Sequence, residues 1–211
     1  MRLLSRTGLV VFAVCGFLGS AIPQGPARAA GDPAATVKNF YATLTQTMER
    51  GPQLGDKGRY DTLAPAVRKD FNLADMTQKA VGPSWTKLSQ PERQQVTEAF
   101  ARYIVATYSE HFNKPTGEKL EVAGAKTMPY GTIVETKIVD ASGGATGVNY
   151  LMRENGGAWQ IEDIYLQGTI SQIANLRSQF SSVVLRGGAQ ALVETLNRKT
   201  ASLVPNVVAA L

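Results

Sequence analysis

Thiols, imidazoles and long apolar runs are all scarce in these 211 residues. The single cysteine, Cys15, falls within the first thirty residues. Downstream of it the chain can form no disulfide, no thiolate zinc site and no cysteine nucleophile. The single histidine, His111, stands on a helical segment without clustered acids. That excludes an H-E-x-x-H metal site and leaves no partner for a Ser-His-Asp arrangement. P-loop, EF-hand and G-x-S-x-G patterns are missing as well. The glycines of Gly143-Gly144-Ala145-Thr146-Gly147 sit between strand-like segments, with no helix start behind them, and read as a turn. Neither a cofactor nor a metal is expected.

Charge is modest too, with 18% of residues ionisable and a formal net charge of +5. Three arginines, Arg2, Arg6 and Arg28, belong to a leader-like segment with no acids. Without them, 19 of the 22 bases face 17 acids. A net charge of +2 gives no argument for nucleic acid. The basic residues are scattered and lack the interleaved aromatics of a single-strand binder. The leader itself has a basic start, an apolar stretch from Leu9 to Ile22 and a break at Pro23, Gly25 and Pro26. Ala27-Arg28-Ala29 then supplies small-x-small cleavage chemistry. The apolar stretch is shorter than the ~20 residues of a spanning helix. Residues 1–29 are therefore expected to be a signal peptide cleaved near Ala29, and residues 30–211 a single exported domain.

Helix signals come first along that domain. Asp32-Pro33 opens a helix carrying Val37, Phe40, Tyr41, Leu44 and Met48, and Gly51-Pro52 is expected to stop it. A second helix is expected over Lys57 to Val67, interrupted or kinked near Pro65. Asn72 caps a third through Val81, closed by Gly82. Ser89-Gln90-Pro91-Glu92 is a capping box with proline in the first turn. It opens a long helix with the stripe Val96, Phe100, Tyr103, Ile104, Tyr108 and Phe112, ended by Asn113-Lys114-Pro115.

From Lys119 to Leu166 the texture changes to β-branched residues and turns. Val134, Thr136 and Ile138 alternate, as do Val148, Tyr150 and Met152, and Asn155-Gly156-Gly157 marks a hairpin. Two helices close the chain, one through Ile170, Ile173, Leu176, Phe180 and Val184 to Gly187-Gly188, the other through Leu192, Leu196 and Leu203. The order predicts an α+β fold: a small twisted antiparallel sheet of about four strands, packed by several helices.

What remains for function is apolar surface. The strands offer Val134, Ile138, Val148, Tyr150, Met152, Trp159 and Ile161. The long helix offers Phe100, Tyr103, Ile104 and Tyr108, and the helix after the sheet Ile170, Ile173, Leu176 and Phe180. Periodicity alone does not distinguish a solid core from an open hollow. Glu162-Asp163, consecutive on a strand, are expected to point to opposite faces unless a bulge intervenes, and to form a charged strand edge.

Several of these residues also carry a family resemblance. Gly82-x-x-Trp85-x-x-Leu88-Ser89-x-x-Glu92-Arg93 leads into the long helix. Trp159-x-Ile161-x-Asp163-Ile164-Tyr165-Leu166-x-Gly168-x-Ile170-Ser171 follows, and then Arg177, Phe180, Gly187-Gly188, Leu192, Leu196 and Lys199. In order and spacing, from about Thr36 to Leu203, this resembles the MlaC-type, or toluene-tolerance, family of periplasmic lipid-binding proteins. Gly168-Thr169-Ile170-Ser171 departs from the commoner Gly-Val-Ser and is closer to the hopanoid-associated HpnM branch.

The resemblance implies a carrier with no catalytic residues. It would hold phospholipid or hopanoid-type acyl chains in an apolar pocket between sheet and helices. The residues implied are Phe100, Tyr103, Ile104, Tyr108, Val134, Ile138, Val148, Tyr150, Met152, Trp159, Ile161, Ile170, Ile173 and Phe180. The implied partners are an outer-membrane lipid complex and an inner-membrane ABC transporter with an MCE-domain protein.

Lipid carriage agrees with the physics. Hiding two chains of ~15 methylenes is worth on the order of 20 kcal/mol at ~0.8 kcal/mol per CH₂. Joints near Pro65 and Gly82-Pro83 are candidates for opening. Lys79, Lys87 and Arg177 are candidates to meet a phosphate. Two rival readings give specific expectations. A small-molecule enzyme using Asp163 as base needs that carboxylate in a dry cavity. A structural adaptor has a solid core, whereas a carrier needs a pocket at or above the upper end of ~300–1,000 Å³.

Overall fold

The structure, a computed structural model, describes residues 31–208. The expected leader and its cleavage site lie outside the described residues. Asp32 caps α1 (Pro33–Glu49), its side chain accepting from the Ala34 amide at 2.9 Å. Gly51-Pro52 does not open a loop. The chain turns at Arg50 and enters α2 (Gly51–Asp70) at once. The break expected near Pro65 falls at Gly55 instead, where φ is 60° and ψ −176°. A residue without Cβ takes that conformation easily. Pro65 keeps its place inside the helix and forfeits one amide donor.

Asn72 caps α3 (Leu73–Val81) by accepting from the Asp75 amide. A 3₁₀ turn over Gly82–Lys87 leads to α4 (Gln90–His111), whose reciprocal Ser89–Glu92 capping box is present. Five strands follow: β1 (Lys119–Met128), β2 (Gly131–Val139), β3 (Ala145–Asn155), β4 (Ala158–Leu166) and β5 (Ile170–Ser171). They form one antiparallel sheet in sequence order, with one strand more than the four expected.

The extra strand is where Ile170 lies. Gln167 and Gly168, both at positive φ, turn the chain back so that Ile170 pairs with Leu166. Ser171 then caps α5 (Gln172–Leu203) by accepting from Ala174. The Gly187-Gly188 stop is a break at Gly188, φ 67° and ψ −163°, with no intervening loop. A short α6 (Pro205–Val208) ends the described chain.

The helices pack on the sheet face that carries Val134, Val148, Tyr150, Met152 and Ile161, all buried. Edge-on contacts join Phe40 to Phe71 and to Tyr108, with centroids 5.1 and 5.0 Å apart. One end of this interface is therefore solid. Between β3 and β4 the register slips: Leu151 opposes Asp163 while Met152 opposes Ile161. Glu162 is the extra residue of a β-bulge.

Candidate functional site

The other end of the interface is hollow. A cavity of about 360 Å³ lies between the C-terminal half of α4, the start of α5 and strands β2 to β4. Tyr103, Ile104, Thr107, Tyr108, His111 and Phe112 line one side. Ile138, Val148, Tyr150, Ile164 and Leu166 form the sheet wall, and Gln172 and Leu176 close it from α5. Among these lining residues there is no lysine, arginine or carboxylate. A hollow of about 580 Å³ beside Trp85 is larger, but it is more open and its lining includes the charged Arg93 and Glu98 with Gln90 and Gln94.

Of the residues expected around a lipid, Tyr103, Ile104, Tyr108, Ile138, Val148 and Tyr150 meet at the cavity. Phe100, Val134, Met152, Ile161, Ile173 and Phe180 do not line it; they are buried in the packed core. Trp159 lies elsewhere, beside Gly31, Asn39 and Asp70. Ile170 is 44% exposed on β5. Thr107, His111, Phe112, Ile164, Leu166, Gln172 and Leu176 complete the lining without having been in the expected set. Ile164 and Leu166 escape a period-2 reading that begins at Ile161, because the bulge at Glu162 shifts the alternation.

Behind the lining lies a hydrogen-bonded pair of hydroxyls. Thr136 donates to the Val148 carbonyl, and the Tyr41 hydroxyl lies 2.7 Å from Thr136 Oγ1. The Tyr150 ring packs edge-on against Tyr41, with centroids 5.8 Å apart, and both Tyr150 and Tyr108 are buried. Burial holds all three phenols above their ordinary value near 10, so they stay neutral. At the rim, His111 Nδ1 sits 2.7 Å from the Thr107 carbonyl and donates to it.

The two carboxylates of β4 are both buried, contrary to the expected exposed edge, because the bulge upsets simple alternation. Asp163 Oδ1 accepts from the amides of Ile164 and Ile173, and Oδ2 accepts from Ser171. It is a fixture of the α5 N-terminus and does not face the cavity as a base would. Glu162 accepts from Lys79 at 2.8 Å and from Arg153 at 2.9 Å. Lys79, which also pairs with Asp75, is therefore already neutralised. Lys87 and Arg177 are not among the cavity residues either; the Arg177 guanidinium packs against Gly82. Among the described residues no group of His, Cys, Asp and Glu could hold a metal ion.

The sequence matches the MlaC protein family over residues 38–198. The chain belongs to the MlaC family. Among solved structures, this MlaC chain resembles a phospholipid-binding protein from Ralstonia solanacearum, determined in complex with a phospholipid. The TM-score is 0.68 at 21% identity, covering 82% of this chain and 99% of that one. The likeness establishes the fold shared with that protein. No curated protein matches the sequence. In this MlaC chain no described helix is long and apolar enough to cross a membrane.

Proposed function

We propose that this MlaC protein is a lipid carrier that takes the acyl chains of a phospholipid or hopanoid-type lipid into the cavity between α4, α5 and the sheet. The observation that carries the reading is the lining: mostly aliphatic and aromatic side chains from two helices and three strands, with no lysine, arginine or carboxylate among them. An apolar interior of that kind can rival a bilayer for hydrocarbon, whereas polar contacts cannot. The phospholipid bound to the Ralstonia relative supports the same assignment.

The carrier would work in the periplasm after removal of residues 1–29. It would exchange lipid with an outer-membrane lipid complex and with the MCE-domain protein of an inner-membrane ABC transporter. At about 360 Å³ the cavity lies near the lower end of the usual 300–1,000 Å³. It falls short of the size expected for two enclosed chains, so loading requires the helices to part. Gly55, Gly82 and Gly188, all at positive φ, supply the joints. Native mass spectrometry of the purified protein tests the proposal. A co-purifying lipid, or uptake of labelled phospholipid from vesicles, is the expected result. Protein that is lipid-free and takes up none overturns it.

A further inference from the structure

Three carboxylates are buried among the described residues: Asp70, Glu162 and Asp163. Cations or amide and hydroxyl donors surround the last two. Asp70 lacks such company. Its side chain is 8% exposed and accepts no hydrogen bond from the described residues. The nearest cation, Lys69 Nζ, lies 3.9 Å away on a side chain 79% exposed to water. Burying a carboxylate without a partner costs free energy. The carboxylate lines a recess of about 220 Å³, far from the lipid cavity in its lining residues. Thr36 and Asn39 of α1 and Trp159 of β4 share that recess, and so does Gly31. Oxygen acceptors, an indole and a buried carboxylate together suit an ammonium group.

We propose that this recess is the seat of the α-ammonium group created when residues 1–29 are removed, and that the new terminus pairs there with Asp70. Gly31, in the recess wall, names the occupant. Cleavage behind Ala29 makes Ala30 the first residue, so the amine is tethered one residue from that wall, a span of ~3.8 Å. Hydrolysis of the Ala29–Ala30 peptide consumes one water and leaves a carboxylate on the leader and an ammonium on Ala30. Before that step the same nitrogen is an uncharged amide, and Asp70 has no cation but Lys69. Afterwards it carries a positive charge and three protons to donate. The pair fastens the start of α1 to the end of α2 beside β4, so the fold gains its last tie only once the leader has gone. This rests on the expected export and cleavage, and not on the lipid cargo.

The test uses the exported, processed protein. Its intact mass is expected to place the first residue at Ala30. A first residue more than one position from Gly31 overturns the inference and the expected cleavage together. Limiting acetic anhydride at pH 7 then labels free α-amines ahead of lysines, and peptide mass spectrometry reads the rate. The terminal amine of Asp70→Asn is expected to react roughly tenfold faster than that of the wild type, where the pair holds its proton. A second variant inserts Gly-Ser-Gly-Ser between Ala29 and Ala30, which keeps the cleavage site and carries the amine away from the recess. The insertion should lower the Tm of the wild type by about 4 °C and leave that of Asp70→Asn unchanged. Equal labelling rates, or equal shifts in Tm with and without Asp70, overturn the inference while the carrier reading stands.

Discussion

Asp163 and Glu162 are adjacent, acidic and buried, and they hold different parts of the molecule. Asp163 gathers two amides and the Ser171 hydroxyl where β5 passes into α5. Asp163→Ala strands those donors and should cost about 1–3 kcal/mol in urea unfolding, while the folded fraction keeps its lipid capacity. For Glu162, burial pushes the carboxyl upward, but the hydrogen bonds from Lys79 and Arg153 outweigh it and hold the group below the usual carboxylate range. A lowered folded value means that its stabilisation is complete above about pH 4.3, the unfolded value. The stabilisation fades as pH falls through the folded value.

Asp70 works the other way. Burial raises its pKa, only partly offset by Lys69 at 3.9 Å, and it sits at the C-terminal end of α2, where the helix dipole disfavours a negative charge. Left without the terminal amine, its ionised form is a burden at neutral pH that acid relieves. In the chain with the insertion ahead of Ala30, Asp70→Asn should therefore raise stability at pH 7 by about 0.5–1 kcal/mol, with the gain vanishing near pH 3, as thermal melts at the two pH values would show.

The helices break where glycine permits rather than where proline suggests. Space is free around a Cβ at Gly188, but its φ of 67° with ψ of −163° is a glycine conformation. Gly188→Ala is expected to cost about 1–3 kcal/mol from backbone strain alone, measurable as a lowered Tm. The same elements show what the sequence discloses. Capping at Asp32, Asn72 and Ser89 and the alternation of Val134, Thr136 and Ile138 are local signals, and the structure realises each one. The sheet wall of the cavity was half legible. Val148 and Tyr150 follow from period 2, whereas Ile164 and Leu166 depend on a bulge that appears only once β3 and β4 are paired. Ile170 reads as helical by spacing because the tight turn at Gln167 and Gly168, which pairs it with Leu166, ends only two residues before it. No sequence signal separates Phe100 and Phe180, which fill the core, from Tyr103 and Tyr108, which border the hollow.

Across the whole molecule the solid and hollow ends share one sheet, so the hollow can be filled without dismantling the core. Leu176 is partly exposed at the cavity wall. Leu176→Trp should leave unfolding within about 1 kcal/mol of wild type while lowering bound labelled phospholipid roughly tenfold. Since no fixed charge lines the cavity, lipid affinity should change less than about twofold between 0.05 and 0.5 M salt. A strong salt dependence would instead point to Lys87 or Arg177 engaging a headgroup.

The bulge has a further consequence for chain length. Excising Glu162 would leave Ile161 opposite Met152, Asp163 opposite Leu151 and Ile164 opposite Tyr150, an unbroken ladder with every inward residue still inward. What it would remove is the carboxylate that Arg153 on β3 pairs with, whereas Lys79 on α3 keeps Asp75. In an alignment, relatives with a one-residue gap at this point should therefore carry an uncharged side chain where Arg153 stands, so that backbone length and surface charge co-vary across the family.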